Sequence, residues 1–302
     1  YPTGTYTANA RAYSVATSEI LSNTINNSGT INSTGSSGYG VQLISTATGI
    51  TTTEAISRSA YGNSAQVLPG DNFVDNGSAG EATNTTSEIY YSQVTARVNS
   101  NTFSNSGTIV VNDGGGVVLN AIASGSTATS YDSSTAGFAV SQVNSNTLTN
   151  SGIISADYDG TGTNLSDGIG LYAITSGVAD QATFDATVSS NTITNTGQVY
   201  GMRDGIRLVA DSSDTGVEGD KVITNTINNN YVGWDDDPHT DEGRVVSNQI
   251  GVHLSASTVN GNTLNNSSLI VSDPGMSLDG TSLTKSDPAS FDNTHVNFVA
   301  IK

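Results

Sequence analysis

Polar and apolar residues alternate in a short phrase that recurs along the chain. The phrase begins with Asn-Thr, an apolar residue, a polar residue and Asn. Ser-Gly or a close variant follows, and in the four best copies the phrase ends two residues later on a second apolar residue. Its six copies begin at Asn23, Asn101, Asn146, Asn191, Asn225 and Asn262, the last two being degenerate. One apolar side chain between polar neighbours is the period-two pattern of a strand with a single buried face. The phrase therefore predicts a strand, a tight turn and a second strand.

A second phrase follows the first in most copies. It places a glycine before an apolar-x-apolar triplet, as at Gly40, Gly116, Gly168 and Gly205, and more loosely at Gln249–Val252. Units this short cannot bury their own apolar face and must stack on copies of themselves. A helical solenoid is excluded because Ser, Thr, Asn, Gly and Val are poor helix formers. The repeats predict an all-β fold, a right-handed parallel β-helix (β-solenoid) with inserted surface loops.

The spacing of the copies predicts the organisation of the chain. Successive copies start 78, 45, 45, 34 and 37 residues apart. A repeat of this length is most simply two coils of about 22 residues in a three-faced β-helix, and about 13 coils would form a rod of ~60 Å. We expect β-helix repeats over residues 1–271, with irregular loops at about 51–88 and 234–243. Residues 272–302 are expected to form a C-terminal capping or assembly segment.

The repeated asparagines are expected to be scaffold. Asparagines at equivalent turns of stacked strands form ladders in which each side-chain amide satisfies the next. In the Asn-Ser-Gly turn, the asparagine tolerates a left-handed φ and the glycine supplies flexibility.

Composition and charge narrow the function classes. The chain has 302 residues, 9 Lys+Arg against 27 Asp+Glu, a net charge of −18 and no cysteine. Nine cations cannot build a basic nucleic-acid-binding surface, and the lack of cysteine excludes disulfides and thiolate metal sites. No apolar run is long enough for a transmembrane helix. No apolar leader precedes Tyr1, so we expect that any secretion signal has been removed or was never included.

The two phrases together resemble the passenger regions of Gram-negative autotransporters and related β-helical surface adhesins. The resemblance covers about Ser18 to Val271. It implies secretion through the outer membrane and display at the cell surface. Autotransporters also carry a C-terminal translocator barrel, for which the ~30 residues after Val271 are too few. The resemblance thus implies a passenger separated from its barrel, or a β-helical surface protein exported by another route.

Parallel β-helices also include polysaccharide-acting enzymes of the pectinase and tailspike types. Such chemistry would need paired carboxylates, for which Asp204 and the acidic loop Asp235–Glu242 are the candidates. The Gly-His-Gly and Arg-Ile-Lys companions of polygalacturonases are missing, as are the Gly-Asp-Ser-Gly and Gly-x-Ser-x-Gly motifs of serine hydrolases. His253 is expected at a surface position, and His239 in the acidic loop is expected to be a turn residue, with a ligand as the alternative. We therefore expect no enzymatic activity and no catalytic residues.

Calcium is the one metal that the sequence favours. Oxygen-bearing side chains alternate at Asp157, Asp159, Thr161 and Asp167, like the front half of a calcium loop. Gly168 stands where an EF-hand would place its bidentate Glu. A second set of candidate ligands is the dense run of acids at Asp235, Asp236, Asp237, Asp241 and Glu242.

These patterns, together with what the resemblance implies, favour a non-enzymatic extracellular protein, structural or adhesive, displayed at a bacterial cell surface. Strand-like residues near both ends, Tyr6–Ile20 and Asn293–Ile301, lack a capping helix, and unpaired strand edges recruit other chains. The expected partners are a second copy of the chain, joined head to tail in an oligomer or filament, and a host or cell-surface receptor or glycan. The alternative function is a polysaccharide-acting β-helix enzyme.

Overall fold

The structure, a computed structural model, is built of strands that stack in parallel. It describes residues 6–34, 38–51, 84–127, 134–156, 166–178, 182–212, 219–230, 244–247, 250–268, 270–272, 278–279, 282–283 and 298–299. The strands in these ranges form four six-stranded parallel sheets and one two-stranded antiparallel pair. The predicted all-β parallel β-helix is confirmed. The described ranges contain no helix able to cross a membrane.

Two residues join the first sheet to the second in every coil. The first sheet consists of β1 (Tyr6–Leu21), β5 (Asn84–Asn99), β9 (Ser134–Asn144), β13 (Ala182–Ser189), β17 (Lys221–Ile223) and β21 (Thr258–Asn260). The second sheet carries the Asn-Thr phrase and consists of β2 (Thr24–Asn27), β6 (Thr102–Asn105), β10 (Thr147–Asn150), β14 (Thr192–Asn195), β18 (Thr226–Asn229) and β22 (Thr263–Asn266).

The other two sheets complete each turn of the β-helix. The third sheet consists of β3 (Thr30–Ser33), β7 (Thr108–Val111), β11 (Ile153–Ala156), β15 (Gln198–Gly201), β19 (Arg244–Ser247) and β23 (Ile270–Ser272). The fourth consists of β4 (Val41–Thr51), β8 (Val117–Thr127), β12 (Ile169–Val178), β16 (Asp204–Ser212), β20 (Ile250–Ser255) and β26 (Phe298–Val299). The antiparallel pair is β24 (Leu278–Asp279) and β25 (Ser282–Leu283).

One repeat corresponds to one coil of four strands, which corrects the expected two coils per repeat. Thr24 of β2 pairs directly with Thr102 of β6, so no coil lies between the first two phrases despite the 78 residues that separate them. Six coils with ~4.8 Å between neighbours span about 24 Å instead of the ~60 Å expected. The error arises because first-sheet strands reach 16 residues and carry no phrase that marks them. Strand β5 also begins at Asn84, inside the range expected to be a loop.

The core is a column of apolar side chains between the sheets. On the second sheet the inward row is Ile25, Phe103, Leu148, Ile193, Ile227 and Leu264. Its four middle members are buried, whereas Ile25 and Leu264 in the outermost coils are half-buried. Complete burial of one such side chain stabilises the fold by roughly 1.5–3 kcal/mol. The middle coils therefore contribute most of the apolar stabilisation.

The corner between the first and second sheets takes a left-handed backbone conformation in every coil. The residues with positive φ are Ser22, Ser100, Ser145, Ser190, Thr224 and Gly261, at 55–65°. Each of these residues directly precedes the first Asn of a repeat phrase. The prediction of a left-handed residue within the Asn-Ser-Gly turn is therefore wrong. The glycine of that turn is required for another reason, since a Cβ on Gly152 would collide with the carbonyl oxygen of Gly107 in the neighbouring coil. Close stacking, and not a positive φ, selects glycine there.

Candidate functional site

Two acidic residues stack in adjacent coils where the chain enters the fourth sheet. Asp167 immediately precedes the Gly168 of one repeat, and Asp204 immediately precedes the Gly205 of the next. The main-chain N–H of Gly168 donates to the carbonyl oxygen of Asp204 at 3.0 Å. A Cβ on Gly168 would lie 2.5 Å from Val199 Cγ1 and 2.8 Å from the Gly205 carbonyl oxygen. The glycine of the second phrase thus allows the corners to stack closely enough to bring the two acids together.

Asp167 is held by an arginine from the next coil. It is buried, and it accepts hydrogen bonds from Arg203 Nε at 2.8 Å and from Arg203 Nη2. Asp167 Oδ1 also accepts the main-chain N–H of Asp204 at 3.2 Å. Burial raises the pKa of Asp167, and the bonded Arg203 partly opposes that rise. The same carboxylate raises the pKa of Arg203.

Asp204 has a parallel arrangement one coil further on. Its Oδ2 accepts a hydrogen bond from Arg207 Nη1 at 2.9 Å and lies 2.9 Å from His253 Nδ1. Arg207 and His253 are register partners on β16 and β20. Among the described residues, the buried Asp204 Oδ1 and Arg207 Nε have no hydrogen-bond partner.

An aromatic ring covers the outer side of this group. Gly170 lies beside Arg207 on the outward row of the fourth sheet, and Tyr172 occupies the space that a side chain at Gly170 would fill. Arg203 Nη2 donates to the Tyr172 hydroxyl at 3.1 Å. We call Asp167, Tyr172, Arg203, Asp204, Arg207 and His253 the charged cluster. It links three successive coils through the Asp167–Arg203 ion pair and the contact of Asp204 with His253.

The charged cluster does not present an acid or a base to a substrate. Each carboxylate has a side chain only 1% exposed and is already paired with a guanidinium. A glycosidase needs one carboxyl group to protonate the leaving oxygen and another to attack or activate water, and both must reach the substrate. In this arrangement Asp167 holds an arginine of the next coil in place, and Asp204 holds an arginine of its own strand.

Only one of the metal ligands predicted from the sequence lies within the described residues. Asp167 is within the described residues and pairs with Arg203. The remaining ligands, Asp157, Asp159, Thr161, Asp235, Asp236, Asp237, Asp241 and Glu242, lie outside the described residues. The described residues include no group of three or more His, Asp or Glu side chains suited to a metal. Calcium at the two loops stays a prediction, which calorimetric titration of chelator-treated protein tests.

Sequence reasoning missed the charged cluster but a signal for it was present. His253 was expected at an ordinary surface position, and it instead contacts the buried Asp204. Asp precedes the glycine of the second phrase in two successive repeats, Asp167-Gly168 and Asp204-Gly205. Identical residues at equivalent repeat positions stack in a solenoid. Two adjacent buried acids then require cations nearby.

The repeated asparagines form two continuous ladders, which confirms their role as scaffold. In the first, each member donates its main-chain N–H and its Nδ2 to the Oδ1 of the next at 2.9–3.0 Å. This ladder runs through Asn23, Asn101, Asn146, Asn191, Asn225 and Asn262. A second ladder, with Nδ2···Oδ1 distances of 2.8–2.9 Å, runs through Asn27, Asn105, Asn150, Asn195, Asn229 and Asn266.

These features define the class of protein. The chain is a repeat protein with a parallel β-helix of four-sheet coils, two asparagine ladders and a charged cluster that joins neighbouring coils. No protein-family model matches the chain, and no curated protein or solved structure matches it significantly.

Proposed function

We propose that the protein is a non-enzymatic structural or adhesive β-helix displayed at a bacterial cell surface. The observation that carries the proposal is the use of the buried polar side chains. The asparagines of both ladders bond to neighbouring coils, as do Asp167 through Arg203 and Asp204 through His253, so these groups serve the stiffness of the stack. A stack of this kind suits a spacer that holds its loops away from the cell.

The enzymatic alternative has weaker support. The charged cluster combines two carboxylates with arginine, histidine and tyrosine, which is the residue set that a polysaccharide-acting β-helix would use. Its carboxylates are buried and already paired. Incubation with uronic-acid polymers and bacterial glycans, followed by a reducing-end assay, tests this alternative. Hydrolysis that is lost in Asp204→Asn, with folding retained, would overturn the non-enzymatic assignment.

Surface display is supported by the resemblance of the repeats to autotransporter passengers. The test is proteinase K treatment of intact cells of the source organism, followed by detection of the protein by immunoblot. A surface protein is lost or shortened in intact cells, while a cytosolic marker survives. Protection in intact cells together with digestion after lysis would contradict display.

Self-association head to tail is part of the same proposal. The hydrogen bonds of the first asparagine ladder all point in one direction, because each asparagine donates to the asparagine of the next coil along the chain. Within the described residues, Asn23 Oδ1 accepts no hydrogen bond and the Asn262 main-chain N–H donates none. The outermost coils thus present acceptors at one end and donors at the other. A second copy supplies the complementary group at each end.

Large apolar side chains at one end of the stack support the same association. Val15, Leu21 and Ile44, all in the first coil, are 68%, 45% and 44% exposed. Lysine on an edge strand blocks edge pairing. We therefore expect Leu21→Lys to reduce the sedimentation coefficient of concentrated protein toward that of a monomer. The control is Phe138→Lys, which alters an exposed side chain on the interior strand β9. A wild-type protein that remains monomeric at high concentration would contradict self-association.

A further inference from the structure

The outward side of the second sheet carries an uninterrupted row of threonines. Strand register aligns one threonine from each coil, namely Thr24, Thr102, Thr147, Thr192, Thr226 and Thr263. Two residues further along each strand lies a second outward row, composed of Asn26, Ser104, Thr149, Thr194, Asn228 and Asn265. We call these twelve positions the threonine face. Among the strand residues that the structure describes, no outward row of the other three sheets repeats one residue type through the stack.

The threonine face is a two-dimensional grid. Neighbouring parallel strands lie ~4.8 Å apart, and residues i and i+2 of a strand lie ~6.6 Å apart. Every connection between the first and second sheets has two residues, and the first four connections from the second to the third sheet also have two. The fifth is longer, because residues 230–243 join β18 to β19. Short borders on both sides keep the grid accessible along most of the stack.

The inward side of the same strands fixes the grid spacing. The inward asparagines of β2 through β22 are tied from coil to coil by Nδ2···Oδ1 hydrogen bonds of 2.8–2.9 Å. Behind the row of threonines lie the packed apolar side chains, such as Leu148 and Ile193. A β-branched side chain also has few rotamers. The outward hydroxyls are therefore held at regular positions before any ligand arrives.

The hydroxyls of the first outward row are available for binding. Within the described residues, these six threonine side chains make no hydrogen bond to the protein. The second row differs, because there Asn228 donates to Thr194 Oγ1 at 3.4 Å and Asn265 donates to Asn228 Oδ1 at 2.8 Å. The first-row hydroxyls are left to bond to water or to an external surface.

The threonine face lacks charged and aromatic side chains, which restricts the kind of partner that it can bind. None of the twelve side chains is charged, although the chain carries a net charge of −18. A neutral face lacks the electrostatic complementarity that a charged partner would require. The threonine face also has no aromatic side chain. Binding sites for organic ligands usually include aromatic side chains, which supply apolar contact area. The matching partner is electrically neutral, rich in oxygen and periodic in two directions.

We propose that the threonine face binds the surface of ice crystals. Ice is a neutral lattice of water oxygens that repeats every few ångströms in each direction, as the face does. Threonine hydroxyls bond to water, and the adjacent methyl groups occupy the space between, so the face orders a water layer that joins the crystal. Bridging waters are nearly as favourable as direct hydrogen bonds. Many weak contacts in one rigid array add up to firm adsorption.

The test compares single substitutions on and off the threonine face. Thr147→Tyr places a bulky side chain in the middle of the grid. Thr108→Tyr makes the same change on the outward side of the third sheet, and circular dichroism verifies that both variants fold. The readouts are thermal hysteresis of a single ice crystal and the partition of fluorescently labelled protein into slowly grown ice.

The expected result is hysteresis and ice incorporation for wild type and Thr108→Tyr, with at least a several-fold loss for folded Thr147→Tyr. Thr147→Ser keeps the hydroxyl, removes the methyl and is expected to lie between. Exclusion of wild-type protein from ice, or equal losses in Thr108→Tyr and Thr147→Tyr, would overturn the inference. So would stronger retention on crystalline cellulose or chitin than in ice. None of these readouts depends on self-association or surface display, so the two proposals fail separately.

Discussion

At the scale of single residues, each ladder asparagine joins its coil to the next by hydrogen bonds, as the main chain does between the strands of a sheet. Asn146 and Asn191 are each 1% exposed, so their amide groups have no access to water. An unsatisfied buried donor or acceptor costs about 1–3 kcal/mol. The Oδ1 of Asn191 accepts two hydrogen bonds from Asn146, and its Nδ2 donates to Asn225 Oδ1 and to the Val143 carbonyl oxygen. One side chain therefore satisfies groups in both neighbouring coils.

The first prediction concerns this multiple role. Asn191→Ala removes an acceptor and a donor in a buried site, and we expect the free energy of unfolding to fall by about 2–5 kcal/mol. Asn23→Ala is the matched control, because Asn23 is exposed in the outermost coil and bonds to only one neighbouring ladder member. Urea denaturation followed by circular dichroism measures both. Equal losses for the two variants would contradict the assigned role of the ladder.

At the scale of elements, a strand of the second sheet separates its two faces residue by residue. Ile193 is 1% exposed and faces the core, while its neighbour Thr192 faces outward. The adjacent turns stack so closely that glycines contact glycines across coils. A Cβ at Gly152 would meet the backbone of Gly107, whereas a Cβ at Gly29 in the first coil has nothing within 4 Å.

The second prediction tests the register of these strands. Ile193→Asp places an unpaired carboxylate in the apolar column, which is strongly unfavourable, so we expect an unfolded or partly disordered protein. Thr192→Asp alters the adjacent outward position and is expected to melt within a few degrees of wild type. Thermal melts followed by circular dichroism make the comparison. A wild-type melting temperature for Ile193→Asp would show that the register is wrong.

The third prediction tests the stacked turns. Gly152→Ala forces the neighbouring backbone to shift, and overpacking of this kind typically costs about 1–3 kcal/mol. Gly29→Ala occupies the equivalent turn of the first coil, where the added methyl meets only solvent, and should be neutral or slightly stabilising. Guanidinium denaturation of both variants measures the difference. The opposite order of stabilities would refute close stacking as the reason for glycine.

At the scale of the whole molecule, the chain is strongly acidic, and some of its acidic side chains are buried in the stack of coils. Asp167 and Asp220 both have a pKa raised from the ordinary value of 3.8, in each case chiefly by burial. Ser212 opposes the rise at Asp220 by donating two hydrogen bonds to its Oδ2. At these two carboxyl groups, the native state consequently holds protons that the unfolded chain loses just above pH 3.8.

The fourth prediction follows from that proton balance. Because the native state holds the extra protons, the free energy of unfolding falls as pH rises through the raised pKa values. Repulsion within a chain of net charge −18 acts in the same direction. Melts between about pH 4 and pH 8 should thus show the higher melting temperature on the acidic side. Asp220→Asn should flatten the slope, and a melting temperature that climbs steadily with pH would exclude this linkage.

The sequence by itself determined the features that depend on a few neighbouring residues. Alternation in Asn-Thr-Ile-Thr placed Ile193 in the core, and six copies of one phrase required a stack of parallel strands. The asparagine ladder also followed, because equivalent positions of stacked repeats must meet. These conclusions need only the period of a strand and the burial of its apolar face.

Tertiary structure decided what depends on how far the chain travels before it returns. The four strands of a coil could not be counted from sequence, since first-sheet strands such as Ala182–Ser189 carry no repeated phrase. The contact of Asp167 with Arg203 joins residues 36 apart, and the alignment of Thr24 with Thr102 spans 78. Both separations are set by the lengths of insertions and strands that no local pattern specifies. Only the register of complete coils brings these side chains together, which is why the charged cluster and the threonine face emerged from the structure.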